Sequence, residues 1–373
     1  MRNAPAALFS QPAPGVVVDG CRVLAGSSSW ADRSLVRDGS FYPSRSLTAA
    51  QRLLHYAGRL PLTEVATTYR FPPTPDVANR WVASTPPGFT FDVRAWSLLC
   101  GAPTWPESLW ADLQGEVRPS RREGVKLYRH RLPAAVLDEC WERFNHAVRP
   151  LAEAGRLGAI IVRFPTWFRP RLEAWEELAC LPARLPGLRV AVELTNERWF
   201  EGGSCEQTLG LLEELGLCFV CKDGPGPAAP VVAATSEVGF VRFTGSPSLR
   251  REPGPHLCQL APQGHEAGAN YFATAPPVEM EPPASSADER ATDRSDEEVP
   301  VPASSRIAEM GMEPQAGERT WWYRYTEAEL AAWAPAIRDL ASCTSEVHVV
   351  MDNCWRANAV DNAADLLELL ARS

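Results

Sequence analysis

The chain has 373 residues, of which 45% are hydrophobic and 22% charged, and this composition is typical of one or two ordinary globular domains. Lys and Arg number 37 against 46 acids, so the formal net charge is −9. This balance argues against a general nucleic-acid coat, because phosphate neutralisation needs clustered basic charge. No apolar run approaches the roughly 20 residues of a membrane span, and the first residues lack the pattern of a signal peptide. We therefore expect a cytoplasmic protein without membrane contact.

Residues 1–20 are expected to form a flexible start, after which strand-like runs alternate with helical patterns. Eight runs have the length and the apolar alternation of strands: residues 23–28, 63–68, 90–95, 159–164, 189–194, 218–222, 239–244 and 346–351. Helical patterns lie between or after them at residues 49–58, 75–84, 133–154, 172–180, 205–215, 327–341 and 358–371.

Eight strands separated by helices are the count of an α/β TIM (β/α)8 barrel. A doubly wound sheet is the alternative, but residues 26–30 (GSSSW) after the first strand are not a glycine-rich dinucleotide turn. We therefore predict a single-domain TIM barrel. Its strands 1–7 lie in residues 21–249, and strand 8 with the final helices lies in residues 319–373.

One stretch breaks the globular pattern. Residues 276–305 carry eight acids, two arginines and no aromatic residue, and such a composition cannot bury enough apolar surface to offset its ordering entropy. The low-complexity character extends over residues 250–318, which we interpret as a disordered and dispensable insertion. Residues 276–305 hold −6 of the formal charge of −9, so the remaining chain is close to neutral.

The ten cysteines are scattered along the chain, and a protein of this length needs no disulfides to hold its core. The one close pair, Cys218 and Cys221, lies in a predicted strand. Positions three apart on a strand face opposite ways, which disfavours a shared zinc or redox site. Reduced, buried thiols are the expectation.

Charged residues interrupt the apolar alternation of most strands. In the fifth strand, for example, Val190 and Val192 share one face and Glu193 belongs to the other. A barrel packs its apolar face under the helices and turns the other face into the lumen. Most of these charges fall late in their strands, where barrel enzymes place their active sites, although Glu64 and Asp92 are expected early. The predicted lumen charges are Glu64, Arg94, Arg163, Glu193, Arg242 and Asp352, with Lys222 and Asp223 at the end of the sixth strand.

Four acids and four bases make this predicted cluster nearly neutral. Two interpretations remain open at this point. A paired salt-bridge network could fill the barrel mouth, although desolvating so many charges is costly. Alternatively, the cluster could bind a polar, anionic ligand.

Six motifs resemble the YecE-like family, also called domain of unknown function 72: GSSSW, LTEVATTYRFPP, GFTFDVRAWSLLCGAPT, VAVELTNERWF, VRFTG and VHVVMDNCWRANAVDNA. The resemblance covers most of the chain outside the first twenty residues and the acidic stretch. The resemblance implies a TIM barrel and a site, but no reaction. The positions that match family motifs are Glu64, Tyr69, Arg94 (where the family usually has lysine), Glu193, Trp199, Asp223, Arg242 and Asn353. Ala66, Thr195, Asn196, Thr244 and Asp352 depart from the motifs, which implies a changed ligand or a decayed site.

Metal chemistry has little support in the sequence. Zinc centres of barrel hydrolases need several histidines at strand ends, and the only histidine in a predicted strand, His348, stands at the start of that strand. No cofactor is required, although a single Mg²⁺ or Mn²⁺ ion could be held by Glu64, Glu193 and Asp352.

Two classes of function follow. In a barrel enzyme (a hydrolase, lyase or isomerase of a phosphorylated or sugar-like compound), Glu64, Glu193 or Asp223 would transfer protons, because burial near another carboxylate can raise a pKa. Lys222 would suit a Schiff base only if it faces the lumen. The other class is a non-catalytic barrel that binds nucleotide, nucleic acid or protein, although the net charge does not support nucleic acid. In either class we expect a monomer. The expected binding residues are Tyr69, Arg94, Arg163, Asn196, Trp199, Lys222, Arg242, Asp352 and Asn353.

Overall fold

A closed parallel β-barrel forms the centre of the computed structural model, which describes residues 13–117, 126–223, 230–245 and 322–372. In this described part the sheet has nine strands in chain order: β1 (Val16–Val18), β2 (Cys21–Ser27), β3 (Leu62–Val65), β4 (Thr90–Arg94), β5 (Leu157–Arg163), β6 (Val190–Glu193), β7 (Cys218–Lys222), β8 (Val238–Phe243) and β9 (Glu346–Met351). Strands β2–β9 are parallel, and β9 pairs back onto β2. The predicted TIM barrel is therefore confirmed. The predicted insertion at residues 250–318 lies outside the described residues.

Helices surround the barrel and follow most of its strands. The α-helices of the described residues are α1 (Arg33–Asp38), α2 (Ala49–Ala57), α3 (Pro75–Ala83), α4 (Ala111–Gln114), α5 (Ala134–Glu153), α6 (Leu172–Arg184), α7 (Ser204–Glu214), α8 (Glu327–Cys343) and α9 (Asn358–Arg372). Short 3-10 helices span Ala66–Tyr69, Pro106–Ser108, Arg129–Arg131 and Glu197–Phe200. Among these helices, none is long and apolar enough to cross a bilayer.

Period-two alternation separates two apolar clusters along the strands. The larger cluster lies between the strands and the helices and includes Val192, Val241 and Met351. The smaller cluster has the opposite parity and consists of Leu24, Leu62, Ala159, Ile161, Ala191, Cys218, Val220, Phe240 and Val350. Because successive side chains of a strand point to opposite faces, this smaller cluster fills the lumen. Cys218 belongs to it and Cys221 to the outer cluster, so the two cysteines face opposite ways.

The start of the chain differs from the expectation. Within residues 1–20, which were expected to be flexible, Val16–Val18 form strand β1 and pair antiparallel with the beginning of β2. Asp19 and Gly20 connect the two strands with φ angles of 50° and 87°, and an Asp-Gly pair with positive φ is favoured in two-residue hairpins. Since β3 pairs only with the last two residues of β2, β1 covers the edge that the first half of β2 would otherwise expose.

Strand β3 is shorter than predicted, and this changes the position of Glu64. The strand ends at Val65, because the Thr68 hydroxyl donates to the Val65 carbonyl at 2.7 Å and the chain turns into a 3-10 helix. Glu64 is therefore the penultimate residue of its strand. The expectation that it lies early was wrong, and Glu64 joins the carboxyl end of the barrel.

Candidate functional site

Seven charged side chains converge at the carboxyl-terminal mouth of the barrel. They come from the ends of seven neighbouring strands, β3 to β9, and all have the parity of the lumen face. We call them the mouth cluster: Glu64, Arg94, Arg163, Glu193, Lys222, Arg242 and Asp352. Each was a predicted site residue, and the structure brings them within ion-pair distance of one another.

Arg242 is the centre of this cluster and is fully buried. Its Nη2 donates to Oε2 of Glu64 at 2.6 Å, its Nε lies 2.9 Å from Oε2 of Glu193, and its Nη1 lies 3.7 Å from Oδ2 of Asp352. The combined negative field raises the pKa of Arg242 in spite of burial. Arg242 is thus a permanent cation that contacts every carboxylate of the cluster.

Glu64 is the best-bonded carboxylate of the mouth cluster. Its Oε1 accepts a 2.6 Å hydrogen bond from Nε of Arg94, and its Oε2 accepts the bond from Arg242. Nη2 of the same guanidinium lies 2.5 Å from Oε1 of Glu64 and 3.8 Å from Oδ2 of Asp352. Two charge-assisted bonds from two arginines fix the Glu64 side chain, which has no exposed surface.

Glu193 is also fully buried, but its contacts are of another kind. Its carboxylate faces Arg242 at 2.9 Å, Nε of Arg163 at 3.2 Å and Nζ of Lys222 at 4.0 Å. None of these contacts has hydrogen-bond geometry, so both Glu193 oxygens lack a hydrogen bond among the described residues. Burial opposes ionisation, but the positive charges of Arg163, Arg242 and Lys222 outweigh it and lower the pKa of Glu193 to about 2. For Glu193 this is the opposite of the raised pKa that an acid–base role would need.

Lys222 faces the lumen and Asp223 does not. The Asp223 carboxylate accepts hydrogen bonds from the backbone N–H of Thr244 at 2.6 Å, from its hydroxyl at 2.9 Å, and from the Tyr325 hydroxyl. Burial raises the pKa of Asp223 to about 6, although these bonds act in the other direction. Asp223, predicted to be a catalytic lumen residue, thus contacts Thr244 and Tyr325 behind the barrel wall.

Without Asp223, the mouth cluster holds four cations and three carboxylates and is not neutral. Three of the four cations also reach the surface. The side chains of Arg163, Lys222 and Arg94 are 38%, 20% and 11% exposed, whereas Asp352 at 26% is the accessible carboxylate. A ligand that enters the mouth therefore meets mainly positive charge.

Two further predicted residues lie near the cluster. Tyr69 ends the 3-10 helix after β3, where burial raises the pKa of its phenol to about 12 and the charges of Arg163, Arg94 and Glu193 also act on it. Asn353 is fully buried, and its side-chain nitrogen donates to the Tyr323 carbonyl at 2.8 Å and to Asn362 at 3.0 Å. Asn353 thereby ties the end of β9 to helix α9.

Trp199 and Asn196 do not join the mouth cluster. The Trp199 indole has no exposed surface, lies against the rings of Phe168 and Trp175, and donates its N–H to the Phe168 carbonyl at 2.7 Å. Trp199 is a core residue, because the 3-10 helix after β6 turns it away from the lumen. Asn196 caps that helix by accepting from the backbone N–H of Arg198, and it donates to the Thr166 carbonyl.

Sequence reasoning missed a second charged group, at the amino-terminal end of the lumen. His348 lies fully buried with Nδ1 at 3.0 Å from Asp92 and Nε2 at 2.8 Å from Glu346. Burial lowers the pKa of His348, but the charge of Asp92 and the bonds to both carboxylates dominate and raise it to about 9. His348 is thus held as a cation. Its alternation with Val347 and Val349 was the sequence signal that could have placed it in the lumen.

The carboxylates of the mouth cluster do not fit a divalent metal. Mg²⁺ and Mn²⁺ prefer several free oxygen ligands. Here the Arg242 guanidinium stands between Glu64, Glu193 and Asp352 and contacts all three. A metal ion at this position would have to displace a buried arginine, so the donor set proposed from the sequence is already occupied by protein cations.

A family model and a curated relative both match nearly the whole chain. The model of the family described as Protein of unknown function DUF72 matches residues 24–275 and 286–373, leaving residues 276–285 of the acidic stretch unmatched. A curated relative, the UPF0759 protein YunF of Bacillus subtilis, is 24% identical over 355 residues, which span 93% of this chain and 94% of the relative.

Solved structures show the same fold. A DUF72 family protein from Enterococcus faecalis superposes with a TM-score of 0.61 and 19% identity, covering 94% of this chain and 96% of that one. A DUF72 family protein from Thermotoga maritima superposes with a TM-score of 0.56 and 20% identity, covering 93% and 98%. The family match spans nearly the whole barrel, and the chain therefore belongs to the DUF72 family, the YecE-like family that its six motifs resemble.

Proposed function

We propose that the barrel mouth binds a small ligand through an anionic group, a phosphate or a carboxylate, held chiefly by Arg163 and Arg94. The observation that carries this proposal is the charge balance of the mouth cluster. Four cations face three carboxylates, and three of the four cations are partly exposed while two of the three carboxylates are fully buried. An anion supplies the missing negative charge where the cations are accessible.

Arg163 is the best placed of these cations. Its ion pair with Glu193 uses Nε, so the two terminal nitrogens of the guanidinium have no described partner. A guanidinium presents parallel N–H groups that match two oxygens of a phosphate or carboxylate. Arg94, at the end of the neighbouring strand β4 and tied to Glu64 through Nε, adds positive charge at the same opening.

The chemistry of Glu193 favours binding over carboxylate acid–base catalysis. With its pKa lowered to about 2, Glu193 stays ionised near neutral pH and is a weak base. A hydrolase, lyase or isomerase mechanism that needs a protonated Glu193 is thus not supported. The compact cluster at the end of one lumen also suits a small ligand better than a nucleic acid, which needs an extended basic surface.

The test is the binding of inorganic phosphate and of pyruvate to the full chain, measured by calorimetry and by the rise in melting temperature. We expect Arg163→Gln to weaken the affinity for the better of the two anions by about tenfold, which corresponds to about 1.4 kcal/mol. The matched control is Arg372→Gln in α9, because Arg372 is an exposed arginine whose i,i+4 partner is Glu368. Equal affinities of the wild type and Arg163→Gln, or no binding of either anion, would refute the proposal.

A further inference from the structure

Lysine is nearly absent from this chain. The sequence has 35 arginines and two lysines, Lys126 and Lys222. Arginine can supply a fixed positive charge, and in this chain it provides almost all of the Lys and Arg cations. Arginine cannot lose its proton in a protein, whereas a lysine amine can. Lys222 is therefore the one cation of the mouth cluster that can become an uncharged amine.

The position of Lys222 is suited to covalent chemistry. It is the last residue of β7, it has lumen parity, and it follows Cys218 and Val220 of the apolar lumen cluster. Its Nζ lies 4.0 Å from Glu193, and its side chain is 20% exposed, so the amine is accessible from the mouth. Lys126, the other lysine, instead lies over the ring of Trp105 outside the barrel strands.

The surroundings of Lys222 also make its ammonium group lose a proton more readily than an ordinary lysine does, although in the resting mouth cluster it still counts as a cation. Burial lowers the pKa of its amine, and the charges of Arg163 and Arg242 act in the same direction, while Glu193 opposes them. Desolvation and neighbouring cations are the two conditions that make a lysine amine nucleophilic near neutral pH.

We propose that Lys222 forms an imine with an aldehyde or ketone that carries an anionic group, and that Arg163 holds this anionic group. The inference rests on the proposed function and names the class of its ligand. The neutral amine attacks the carbonyl carbon, a C=N bond replaces the C=O bond, and the two amine hydrogens leave with the carbonyl oxygen as water. No oxidant or reductant is required.

Glu193 has a defined part in this step. Uptake of one proton from water turns the imine into an iminium with a positive charge and one N–H. Glu193 is an ionised carboxylate with both oxygens free of hydrogen bonds among the described residues. Located 4.0 Å from Nζ, it stabilises the iminium by charge and can accept its N–H. Glu193 is thus a positioning and electrostatic residue in the proposal, with Lys222 as the nucleophile.

The experiment is borohydride trapping on the full chain with two probes, dihydroxyacetone phosphate and pyruvate, followed by peptide mass spectrometry. Uncharged dihydroxyacetone is the matched probe without an anionic group. We expect a reduced adduct on Lys222 with at least one anionic probe, more of it than on Lys126 or the N-terminal amine, and far less with dihydroxyacetone. The preferred probe tells whether phosphate or carboxylate is recognised.

Variants separate this inference from the proposed function. Lys222→Arg keeps the charge and should lose the adduct, Arg163→Gln should reduce its amount, and Lys126→Arg should leave it unchanged. If phosphate or pyruvate binds to the wild type but no adduct forms on Lys222, the imine is refuted and anion binding stands. An adduct that forms equally with dihydroxyacetone would overturn the link between Lys222 and an anion site. Absence of both binding and adduct would refute both proposals.

Discussion

Glu64 and Arg242 form a fully buried ion pair across the lumen, with Oε2 and Nη2 2.6 Å apart, although the two residues are 178 positions apart in sequence. Glu193 contacts the same guanidinium at 2.9 Å without hydrogen-bond geometry. The two buried glutamates of the mouth cluster therefore have different roles. Glu64 joins β3, β4 and β8 through hydrogen bonds, whereas Glu193 retains its capacity to accept hydrogen bonds.

This difference predicts that neutralising Glu64 destabilises the barrel more than neutralising Glu193. Glu64→Gln removes the acceptor charge of two buried or nearly buried arginines, and we expect it to lower the free energy of unfolding by about 3 kcal/mol or more. Glu193→Gln removes no hydrogen bond of good geometry and should cost less. Urea unfolding at neutral pH measures both, with Glu368→Gln of the exposed pair with Arg372 as a control near zero. A larger loss for Glu193→Gln would show that Glu193 mainly plugs the mouth.

The barrel itself could be predicted from the sequence because apolar residues recur with a period of two along its strands and of 3.6 along its helices. Alternation along strands assigned lumen and outer faces, and each of the eight predicted strands agrees with an observed strand of the barrel to within a few residues. The same alternation placed Arg163, Glu193 and Arg242 in the lumen. These features depend on neighbours within one strand, which a sequence displays directly.

Other features depend on contacts that no single segment encodes. The low pKa of Glu193 arises from cations on β5, β7 and β8. The orientation of Asp223 depends on Tyr325, 102 positions away. Trp199 follows its strand in a 3-10 helix, where side-chain direction no longer has a period of two. In these cases long-range packing decides the environment of the residue, so its place in the chain could be predicted but its role could not.

The core position of Trp199 predicts a loss of stability without a loss of ligand binding. Trp199→Ala removes a fully buried indole that packs on Phe168 and Trp175, and such truncations cost about 3–5 kcal/mol. Trp167 is exposed, so Trp167→Ala should change stability by less than about 0.5 kcal/mol. Denaturant unfolding compares the two variants. A stable Trp199→Ala protein with weakened phosphate or pyruvate affinity would instead support the binding role expected from the sequence.

The close packing around Gly158 predicts that even the methyl group of an alanine destabilises the protein. A Cβ atom at Gly158 would lie 2.6 Å from Thr90 Cγ2 and 2.7 Å from His348 Cε1, and it would also collide with Asp92 Oδ1. We expect Gly158→Ala to destabilise the protein by about 1–3 kcal/mol through overpacking. At Gly203, by contrast, no heavy atom lies within 4 Å of the added Cβ, and Gly203→Ala should be neutral or slightly stabilising. Comparable melting temperatures of both variants would contradict the prediction that there is no room for a side chain at Gly158.

His348 and its two carboxylates predict a loss of stability at alkaline pH. The pKa of His348 is about 9 in the folded protein and 6.5 as a free side chain, so folding favours the protonated form. Its stabilisation is therefore fully present below pH 6.5 and is lost as the pH rises through about 9. A shift of this size corresponds to about 3 kcal/mol. Asp92 stabilises the protonated His348 by its charge and by a hydrogen bond. The same carboxylate also accepts a hydrogen bond from the backbone N–H of Ala159.

The measurement is urea unfolding of the wild type and His348→Gln at several pH values between 6 and 10. Because glutamine does not titrate, the stability difference between the two proteins should be largest near pH 6 and should shrink towards pH 10. His146→Gln, on the exposed face of α5, is the control that should follow the wild type throughout. Glu346 is the second carboxylate that contacts His348, and its pKa is lowered chiefly by His348 against the effect of burial. Glu346→Gln should therefore reduce the pH dependence of stability. It should not abolish this dependence, because Asp92 still contacts His348. A stability difference that does not change with pH would show that His348 is buried as the neutral imidazole.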